Sequence, residues 1–262
     1  MAIPLDPVRS ALFLPASNPR AVAKARTLAA DLVILDLEDA VAEADKHAAR
    51  RAAVEAAADW QGLLAIRVNG PGSAWHEEDV AAVAQSGAAL MVLPKVDSAR
   101  QVAGLPQPVL AMIETPAGIY AAREIAAADG VAGLLAGSND LAASLRAAGR
   151  EGLTLALQSI VLAARAAGVI ALDGVHNQLD DPDGFAADCR AGRAAGFDGK
   201  CLIHPDQVAP ANRIFGPSPE EVEEARALVA AAKGGAERFR GRMIETMHVA
   251  SARRILQQAG VA

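Results

Sequence analysis

The stretch DLVILDLEDA (residues 31–40) decides the fold and locates the chemistry. It begins as a continuous apolar run, which is typical of a strand buried on both faces of a parallel sheet. It ends in three carboxylates, Asp36, Glu38 and Asp39. A carboxylate at the end of a buried strand loses hydration, so it must be paired, hydrogen-bonded or bound to a cation. The stretch therefore predicts a strand that delivers acidic groups to a site.

Eight apolar runs of this kind recur along the chain, and alanine-rich segments with helical spacing lie between most of them. The runs occupy residues 10–15, 31–37, 63–68, 89–94, 108–113, 131–137, 169–174 and 199–205. Apolar strands that alternate with amphipathic helices indicate a parallel sheet covered by helices. Eight such units in a chain of 262 residues predict an α/β protein with a (β/α)8 barrel, the TIM barrel. The alternative is a doubly wound open sheet, but no G-x-G-x-x-G follows the first strand.

The barrel is expected to occupy residues 1–216, and residues 217–262 are expected to form a helical extension. Ser218 is placed to cap a helix that begins near Glu220, and a last helix is predicted over residues 242–258. The extension either covers the barrel or reaches into another subunit.

Composition and charge exclude several classes of partner. Aromatic residues make up only 3% of the chain, the formal net charge is −6 and no long basic stripe occurs, so nucleic acid and anionic membranes are poor candidates. Residues 152–172 are apolar enough to suggest a membrane span, but Gln158, Arg165 and Gly168 interrupt them and favour helix, turn and strand. The two cysteines lack metal-type spacing and residues 1–10 lack an apolar leader core, which predicts a reduced, cytoplasmic protein.

In a barrel of this type, the chemistry lies at the carboxyl ends of the strands. Glu114 and Asp140 end the fifth and sixth predicted strands, so both carboxylates are expected to bind one hard cation, Mg²⁺ or Mn²⁺. Arg67 ends the third strand and offers a permanently charged fork for a carboxylate or for an oxygen that gains negative charge. Each acid has a simpler interpretation as the cap of the following helix, but capping does not explain a buried arginine opposite the acids.

Other charged residues near these strands have less direct roles. The three acids of residues 31–40 are predicted to orient Arg67 and metal-bound water without touching the metal. Lys95 follows the fourth strand and can pair with these acids; a lysine among carboxylates stays protonated, which disfavours a Schiff-base role. His47 lies on a predicted helix among Lys46, Arg50 and Arg51, and this charged group is expected to be solvated surface.

A set of motifs occurs in an order and spacing that characterise one group of enzymes. The motifs are RSALFLP, DLVILDLEDAVAEADKHAAR, IRVN, VLPKV, MIETPAG, ALDGVH, GFDGKCLIHPDQV and GRMIE. On these motifs, the chain resembles the HpcH/HpaI aldolase/citrate lyase β-subunit superfamily over essentially its whole length. The resemblance is strongest to the citrate lyase β-like branch, which includes malyl-CoA and citramalyl-CoA lyases.

The resemblance implies roles for individual residues. It implies that Glu114 and Asp140 bind Mg²⁺, in agreement with the choice from the strand ends, and that Arg67 stabilises an enolate-like oxygen. It also implies that the loop after the first strand receives coenzyme A, with Phe13 and Lys24 against the nucleotide or its phosphates. Contacts to substrate are expected from Arg67, Glu114, Asn139, Asp140, Ile203 and His204.

Two positions depart from the family's pattern. Relatives of the malyl-CoA lyase type have an arginine before the proline of the first loop, where this chain has Asn18 before Pro19, with Arg20 close by. The family's C-terminal segment usually ends in an aspartate that reaches a neighbouring subunit's active site, where this chain has Glu245. A misplacement of about 1 Å can lower a rate on the order of a hundredfold. Glu245 is predicted either to transfer a proton with shifted geometry or to mark altered lyase chemistry.

The sequence therefore predicts a Mg²⁺-dependent carbon–carbon lyase. Its substrate would be a 3-hydroxyacyl-CoA thioester of the malyl-CoA, citramalyl-CoA or citryl type, and its products acetyl-CoA and a 2-oxo acid. The resemblance also suggests a homo-oligomer, a trimer or a hexamer. Three alternatives remain open: a CoA-independent pyruvate aldolase, a citrate lyase β subunit that acts with an acyl carrier protein, and a non-catalytic CoA-binding paralogue.

Overall fold

The computed structural model describes residue 5 and residues 8–261, and its centre is a closed barrel of eight parallel strands. The strands follow one another around the barrel in chain order, and the eighth pairs with the first. They are β1 (Ser10–Pro15), β2 (Leu32–Asp36), β3 (Leu63–Arg67), β4 (Leu90–Leu93), β5 (Val109–Ile113), β6 (Val131–Ala136), β7 (Ile170–Asp173) and β8 (Gly199–Leu202). The predicted barrel is confirmed, and each strand lies within the apolar run predicted for it.

Helices connect and follow the barrel strands. They are α1 (Pro19–Ala25), α2 (Lys46–Ala57), α3 (His76–Ala84), α4 (Pro116–Ala126), α5 (Ser138–Leu145), α6 (Thr154–Ala167), α7 (Pro182–Ala195) and α8 (Val208–Phe215). Two connections differ from the simple repeat. A single 3₁₀ turn (Ala99–Gln101) joins β4 to β5, and two helices, α5 and α6, follow β6.

The barrel interior is filled by small and aliphatic side chains. These are Ala11, Leu32, Ile34, Ala65, Leu90, Val92, Leu110, Met112, Leu135, Leu172 and Cys201. Because successive strand residues point to opposite faces, a residue next to one of these faces the surrounding helices instead. Both cysteines are buried and unbridged, and burial raises the pKa of each thiol to about 12. Neither thiol is therefore a reactive thiolate at neutral pH.

Residues 152–172 fold as helix, turn and strand, as predicted. Helix α6 ends at Gly168, whose φ of 72° is the left-handed conformation in which helices commonly terminate, and β7 begins two residues later. In the described part of the chain, no helix is long and apolar enough to cross a membrane.

The chain divides into two compact units, one up to Asn212 and one from Arg213 onward. The second unit contains α9 (Pro219–Ala231), β9 (Glu237–Phe239), β10 (Arg242–Ile244) and α10 (Thr246–Gln258). It has its own apolar cluster, formed by Ala225, Leu228, Ile244, Ala252 and Leu256. The predicted cap of α9 is present, because the Ser218 hydroxyl accepts a hydrogen bond from the main-chain N–H of Glu221 at 3.2 Å.

The predicted start of the last helix at residue 242 is wrong. Residues 242–244 form β10, which pairs with β9 in an antiparallel hairpin, and the helix begins at Thr246. The hairpin turn consists of Arg240 and Gly241, both with positive φ (46° and 84°). Two consecutive residues with positive φ form the two-residue turn that suits the twist of paired strands.

Candidate active site

A cavity of about 410 Å³ opens at the carboxyl ends of the barrel strands. Its volume lies within the range typical of sites for small molecules. Several residues predicted for the site line it, namely Phe13, Asp36, Asp39, Arg67, Glu114, Asn139, Asp140 and Ile203. The structure therefore brings together side chains from β1, β2, β3 and β5 and from the segments that follow β2, β6 and β8.

Arg67 is held in one orientation by Asp36. The guanidinium donates from Nε to Oδ1 and from Nη2 to Oδ2 of Asp36, both at 2.6 Å. Asp36 is fixed in turn, because its carboxylate accepts the main-chain N–H groups of Glu38 and Ala40 at 2.8 and 3.1 Å. Burial would lower the pKa of Arg67, but the hydrogen bonds and charge of Asp36, together with the neighbouring acids, raise it overall. Arg67 is thus a permanently charged group with a fixed direction.

Asp36 does not bind the other terminal nitrogen of Arg67, Nη1. Nη1 lies 3.1 Å from Oε2 of Glu38 and donates a hydrogen bond to the sulfur of Met112 at 3.9 Å. The contact with Glu38 is not aligned as a hydrogen bond, since Glu38 Oε2 is buried without a hydrogen-bond partner. The edge of the guanidinium that carries Nη1 can therefore donate to a ligand oxygen in the cavity.

Lys95 completes a group of four charges that we call the cavity cluster: Asp36, Glu38, Arg67 and Lys95. Lys95 Nζ donates to Glu38 Oε1 at 2.7 Å. Burial raises the pKa of Glu38 although Arg67 and Lys95 oppose the shift, while for Lys95 the pairing with Glu38 outweighs burial and raises the pKa of the ammonium. Asp39 stands at the exposed edge, 3.8 Å from Arg67 Nη1 and 4.0 Å from Lys95 Nζ.

Glu114 is a buried carboxylate with one oxygen held and one oxygen available. Oε1 accepts the main-chain N–H of Lys95 at 2.7 Å, whereas Oε2 accepts no hydrogen bond from the described residues. Gly137 leaves the space for it, because a Cβ on that residue would lie 2.5 Å from Oε2. The capping interpretation does not apply to Glu114, since Thr115 is the residue whose side chain caps α4.

The protonation of Glu114 is set by its surroundings. Burial is the main cause that raises its pKa, to about 7, and the charges of Glu38 and Asp140 add to the rise. The N–H of Lys95 and the charge of Arg67 oppose it. A carboxylate in this state gains most from a neighbouring cation, which would favour its ionised form.

Asp140 supplies a second carboxylate to the same cavity, from the first turn of α5. Among the residues that the structure describes, no group of three or more His, Cys, Asp or Glu side chains is arranged to hold a metal ion. Glu114 and Asp140 both offer oxygen donors, and no described residue donates a hydrogen bond to Glu114 Oε2. This donor set fits Mg²⁺, which usually keeps several waters and takes one or two protein carboxylates.

The first turn of α2 stabilises the chain segment that carries Glu38 of the cavity cluster. The sequence did not predict this contact. Lys46 Nζ donates at 2.7 Å to the carbonyls of Leu37 and Glu38 and to Oδ1 of Asn69. His47 is exposed as expected, but its neighbours Lys46 and Arg50 on the same helix are buried. The other buried residues of α2 are all alanines. Their small side chains leave room for the long side chains of Lys46 and Arg50 to extend along the helix surface to polar partners.

The predicted coenzyme A residues lie around the first loop. Phe13 lines the cavity, and the centre of its ring lies 5.3 Å from the guanidinium carbon of Arg67. Lys24 is exposed on α1. Asn18, which replaces the arginine of relatives, accepts the main-chain N–H of Ala21 at 3.1 Å and caps α1.

The other predicted residues divide between the cavity and more distant positions. Asn139 lines the cavity and accepts a hydrogen bond from Asn177 Nδ2 at 2.7 Å. Ile203 lines it too, but His204 does not, and its Nδ1 accepts the N–H of Asp206 in the turn after β8. Glu245 lies in the C-terminal unit, immediately before α10.

A second set of charges lies on the helix side of the sheet, and we call it the closed cluster: Arg150, Asp173, Asp188 and Lys200. Asp173 and Lys200 are buried, and Arg150 and Asp188 are partly exposed. Lys200 Nζ lies 2.9 Å from Asp173 Oδ2 and 2.7 Å from Asp188 Oδ2, and Arg150 contacts the same two acids at 3.0 and 2.9 Å. His176 stands at its edge, with Nδ1 3.6 Å from Asp188. None of these five residues lines the cavity.

Comparisons with known proteins place the chain in a family. Residues 9–205 match the HpcH/HpaI aldolase/citrate lyase family, and residues 153–261 match a family described as C-C bond lyase of the TIM-barrel fold. The chain belongs to the HpcH/HpaI aldolase/citrate lyase family.

Similar proteins extend over the whole chain. A (3S)-malyl-CoA thioesterase of Cereibacter sphaeroides is 42% identical over 277 residues, which covers 99% of this chain and 97% of the relative. A citrate lyase subunit beta-like protein of Mycobacterium tuberculosis is 40% identical and covers 96% and 95% of the two chains. A crystal structure of CitE from M. tuberculosis with magnesium, acetoacetate and coenzyme A has a TM-score of 0.87 at 38% identity, over 97% of this chain and 99% of that chain. The family and these relatives indicate an enzyme of the lyase and aldolase type.

Proposed function

We propose that this protein is a magnesium-dependent carbon–carbon lyase that cleaves a 3-hydroxyacyl-CoA thioester of the malyl-CoA type to acetyl-CoA and a 2-oxo acid. One observation carries the proposal. A single cavity holds two carboxylates, Glu114 and Asp140, together with an arginine, Arg67, whose direction is fixed by Asp36 and whose Nη1 is not bound by Asp36. The family and the magnesium and coenzyme A in the M. tuberculosis structure support it.

Glu114 and Asp140 would hold the magnesium ion. The free Oε2 of Glu114, the space that Gly137 leaves beside it and the oxygen character of both donors fit this ion. When bound, Mg²⁺ supplies Lewis-acid chemistry that acidifies the substrate hydroxyl. Lys95 keeps Glu114 in place by its main-chain N–H, so the carboxylate meets its ligand without reorganising.

Arg67 has the position and charge to stabilise the transition state of cleavage. In the reaction the hydroxyl proton passes to water, the bond between the carbinol carbon and the methylene carbon breaks, and its electron pair passes to the thioester as an enolate. The carbinol carbon becomes the carbonyl of the 2-oxo acid. Nη1 of Arg67 donates to the thioester oxygen as negative charge develops there, which lowers the barrier because Asp36 holds the donor in advance.

The enolate carbon must then gain a proton to become the methyl group of acetyl-CoA. In this proposal Glu245 from a second copy of the chain donates it, which requires a homo-oligomer such as a trimer or a hexamer. The nucleotide of coenzyme A is received near Phe13 and Lys24. Reversal of the same steps describes the condensation.

A second candidate function is hydrolysis of the thioester. The C. sphaeroides relative with 42% identity bears the name (3S)-malyl-CoA thioesterase, and it matches 99% of this chain. Hydrolysis leaves the carbon–carbon bond intact and breaks the bond between the acyl carbon and sulfur. The two reactions share a substrate but not their products.

The test incubates purified protein with Mg²⁺ and malyl-CoA, citramalyl-CoA or citryl-CoA, and follows thioesters and acids by mass spectrometry. Cleavage of malyl-CoA by the lyase gives acetyl-CoA and glyoxylate, whereas hydrolysis gives free coenzyme A and malate. EDTA and the variant Glu114→Gln are the controls, and both are expected to abolish turnover. Absence of turnover for all three thioesters would contradict both candidates, and turnover of a CoA-free hydroxy-oxo acid would then support the aldolase.

A further inference from the structure

Lys95 adopts a backbone conformation that lysine rarely adopts. Its φ is 52°, in the left-handed region, and only Arg146 and Arg240 share this feature among the described non-glycine residues. For an L-residue with a side chain this conformation is unfavourable, so it persists where surrounding contacts determine it. Arg146 terminates α5 and Arg240 forms a hairpin turn, which are ordinary places for it. Lys95 has no such role, because it lies in the segment after β4 and contacts Glu114 and Glu38.

The left-handed conformation orients the main-chain N–H of Lys95 toward Glu114. Its N–H donates to Oε1 of Glu114 at 2.7 Å, and this hydrogen bond is the one that leaves Oε2 on the side of Gly137. The next residue, Val96, donates its N–H to the carbonyl of Met112 on β5 at 3.2 Å, so the turn is tied to the strand that carries Glu114.

The side chain of Lys95 places its ammonium group next to Glu38. Nζ lies 2.7 Å from Glu38 Oε1, while the other oxygen of Glu38 lies 3.1 Å from Nη1 of Arg67. Gly70 borders this pair, since a Cβ there would lie 3.8 Å from Glu38 Oε1 and 3.9 Å from Cδ of Lys95. Without the ammonium, the full charge of Glu38 would act on Arg67, and the carboxylate 3.1 Å from Nη1 would compete more strongly with a ligand.

We propose that Lys95 is a positioning residue that acts on both halves of the site: its left-handed main chain holds Glu114 for the metal, and its ammonium offsets the charge of Glu38, the carboxylate that lies 3.1 Å from the ligand-binding edge of Arg67. The inference rests on the proposed function for the identity of the metal and of the substrate oxygen. The two contacts themselves are independent of that function.

Three substitutions separate the two actions. Lys95→Met removes the ammonium and keeps a residue that can share the main-chain geometry of lysine. Lys95→Gly removes the ammonium and relieves the backbone, because glycine adopts positive φ freely. Lys95→Val also removes it, but a β-branched residue resists positive φ, so the N–H is expected to turn away from Glu114.

The first measurement is the affinity for Mn²⁺ by titration calorimetry. Lys95→Met and Lys95→Gly are expected to bind Mn²⁺ at least as tightly as the unchanged protein, because a positive charge near the site has been removed. Lys95→Val is expected to bind it about ten- to a hundredfold more weakly, as is found when a group that orients a metal ligand is lost. Equal affinity of the valine and glycine variants would overturn the main-chain action.

The second measurement is turnover. Lys95→Met is expected to lower kcat by about ten- to a hundredfold with a small change in KM, because Glu38 then holds Arg67 Nη1 more strongly while metal binding persists. A loss of general structural integrity would instead weaken Mn²⁺ binding and turnover together. Unchanged kcat in Lys95→Met would overturn the action of the ammonium.

Controls distinguish failure of this inference from failure of the proposed function. Arg146→Val and Arg146→Gly repeat the backbone change at φ 54° on the surface, and should alter thermal stability without altering Mn²⁺ affinity. Hydrogen exchange of the residue 95 amide in metal-free protein tests the contact with Glu114 directly: protection should persist in Lys95→Gly and disappear in Lys95→Val. If the unchanged protein neither binds Mn²⁺ nor cleaves a thioester, the proposed function fails, and this exchange result still decides the main-chain action.

Discussion

The cavity cluster and the closed cluster contain the same kinds of residue but differ in how completely their charged groups are paired. Each contains two acids and two bases. In the closed cluster, Lys200 and Asp173 are 0% exposed and both acids contact both bases. In the cavity cluster, Arg67 is 11% and Lys95 44% exposed, and one buried oxygen of Glu38 has no hydrogen bond. Complete pairing indicates a structural role, and incomplete pairing beside a cavity indicates a ligand.

The two clusters also differ in the net charge of the residues around them. The four residues of the closed cluster balance one another, and His176 is the titratable group at their edge. The cavity cluster balances internally, but only its Asp36 and Arg67 line the cavity, where Asp39, Glu114 and Asp140 add negative charge when ionised. A metal-free cavity of this kind repels an anionic substrate, so the cation has to bind before or with the substrate.

The largest effect is expected from breaking the closed cluster. Lys200→Met leaves Asp173 and Asp188 with Arg150 alone, and loss of one partner from a buried charge group typically costs about 3–5 kcal/mol of unfolding free energy. Urea denaturation followed by circular dichroism measures it. The matched control is Lys95→Met, whose lysine is half exposed, and its loss should be about 1 kcal/mol or less. Equal destabilisation of the two variants would contradict the distinction between the clusters.

The next effect is on catalysis at the cavity cluster. Arg67→Ala removes the donor to the developing oxyanion, and kcat is expected to fall by about a hundred- to a thousandfold, as for other preorganised donors. Steady-state kinetics on the thioester that the protein turns over measures it, with the thermal midpoint as a check on folding. Retention of kcat within a few-fold would show that Arg67 does not act on the transition state.

A smaller effect concerns pH. The pKa of Glu114 is about 7, raised from the value of 4.5 expected in an unfolded chain, so the metal-free protein is most stabilised by this group below pH 4.5 and loses that contribution as pH rises through 7. Mg²⁺ needs the ionised form, so its affinity should increase by about tenfold between pH 6 and pH 8. Calorimetry at the two pH values measures the change. The closed cluster provides the contrast, since Lys200→Met should leave the pH dependence of metal binding unchanged.

The smallest effect is expected at Asp39. Its side chain is 64% exposed and lies 3.8 Å from Arg67 Nη1, so water screens the interaction. Asp39→Asn is expected to change unfolding free energy by about 0.5 kcal/mol or less. Thermal denaturation in low and high salt checks it, and a large, salt-independent loss would mean that Asp39 belongs to the buried network.

Much of this arrangement was predictable because strand burial leaves a continuous apolar signal. All eight strands fell within their predicted runs. Glu114 was identifiable because it directly follows the run at 108–113, and Asp140 because it comes three residues after the run at 131–137. The hairpin of β9 and β10 was not predictable from apolar spacing. Its strands have three residues each, too few to show a period, and its turn depends on the φ angles of Arg240 and Gly241.

The buried bases show a different limit of sequence analysis. Lys46 and Lys200 are buried by partners that are distant in the sequence, such as Asn69 for the first and Asp173 for the second. A lysine next to a histidine and two arginines has the same local pattern whether it is exposed or buried. The left-handed backbone of Lys95 likewise leaves no trace in the letters VLPKV, since lysine is not a residue that favours it.

Gly137 has a consequence for how this family can diverge. Its φ of −85° is accessible to any residue, so the requirement for glycine is one of space alone, imposed by Glu114. A mutation to alanine would be silent for the backbone but would displace the carboxylate that faces it. A descendant of this enzyme can therefore keep every acid and the arginine and still lose activity by one methyl group. In an alignment, the residue at this position would distinguish active lineages from inactive ones. The acidic residues alone would not, because both kinds of lineage would keep them.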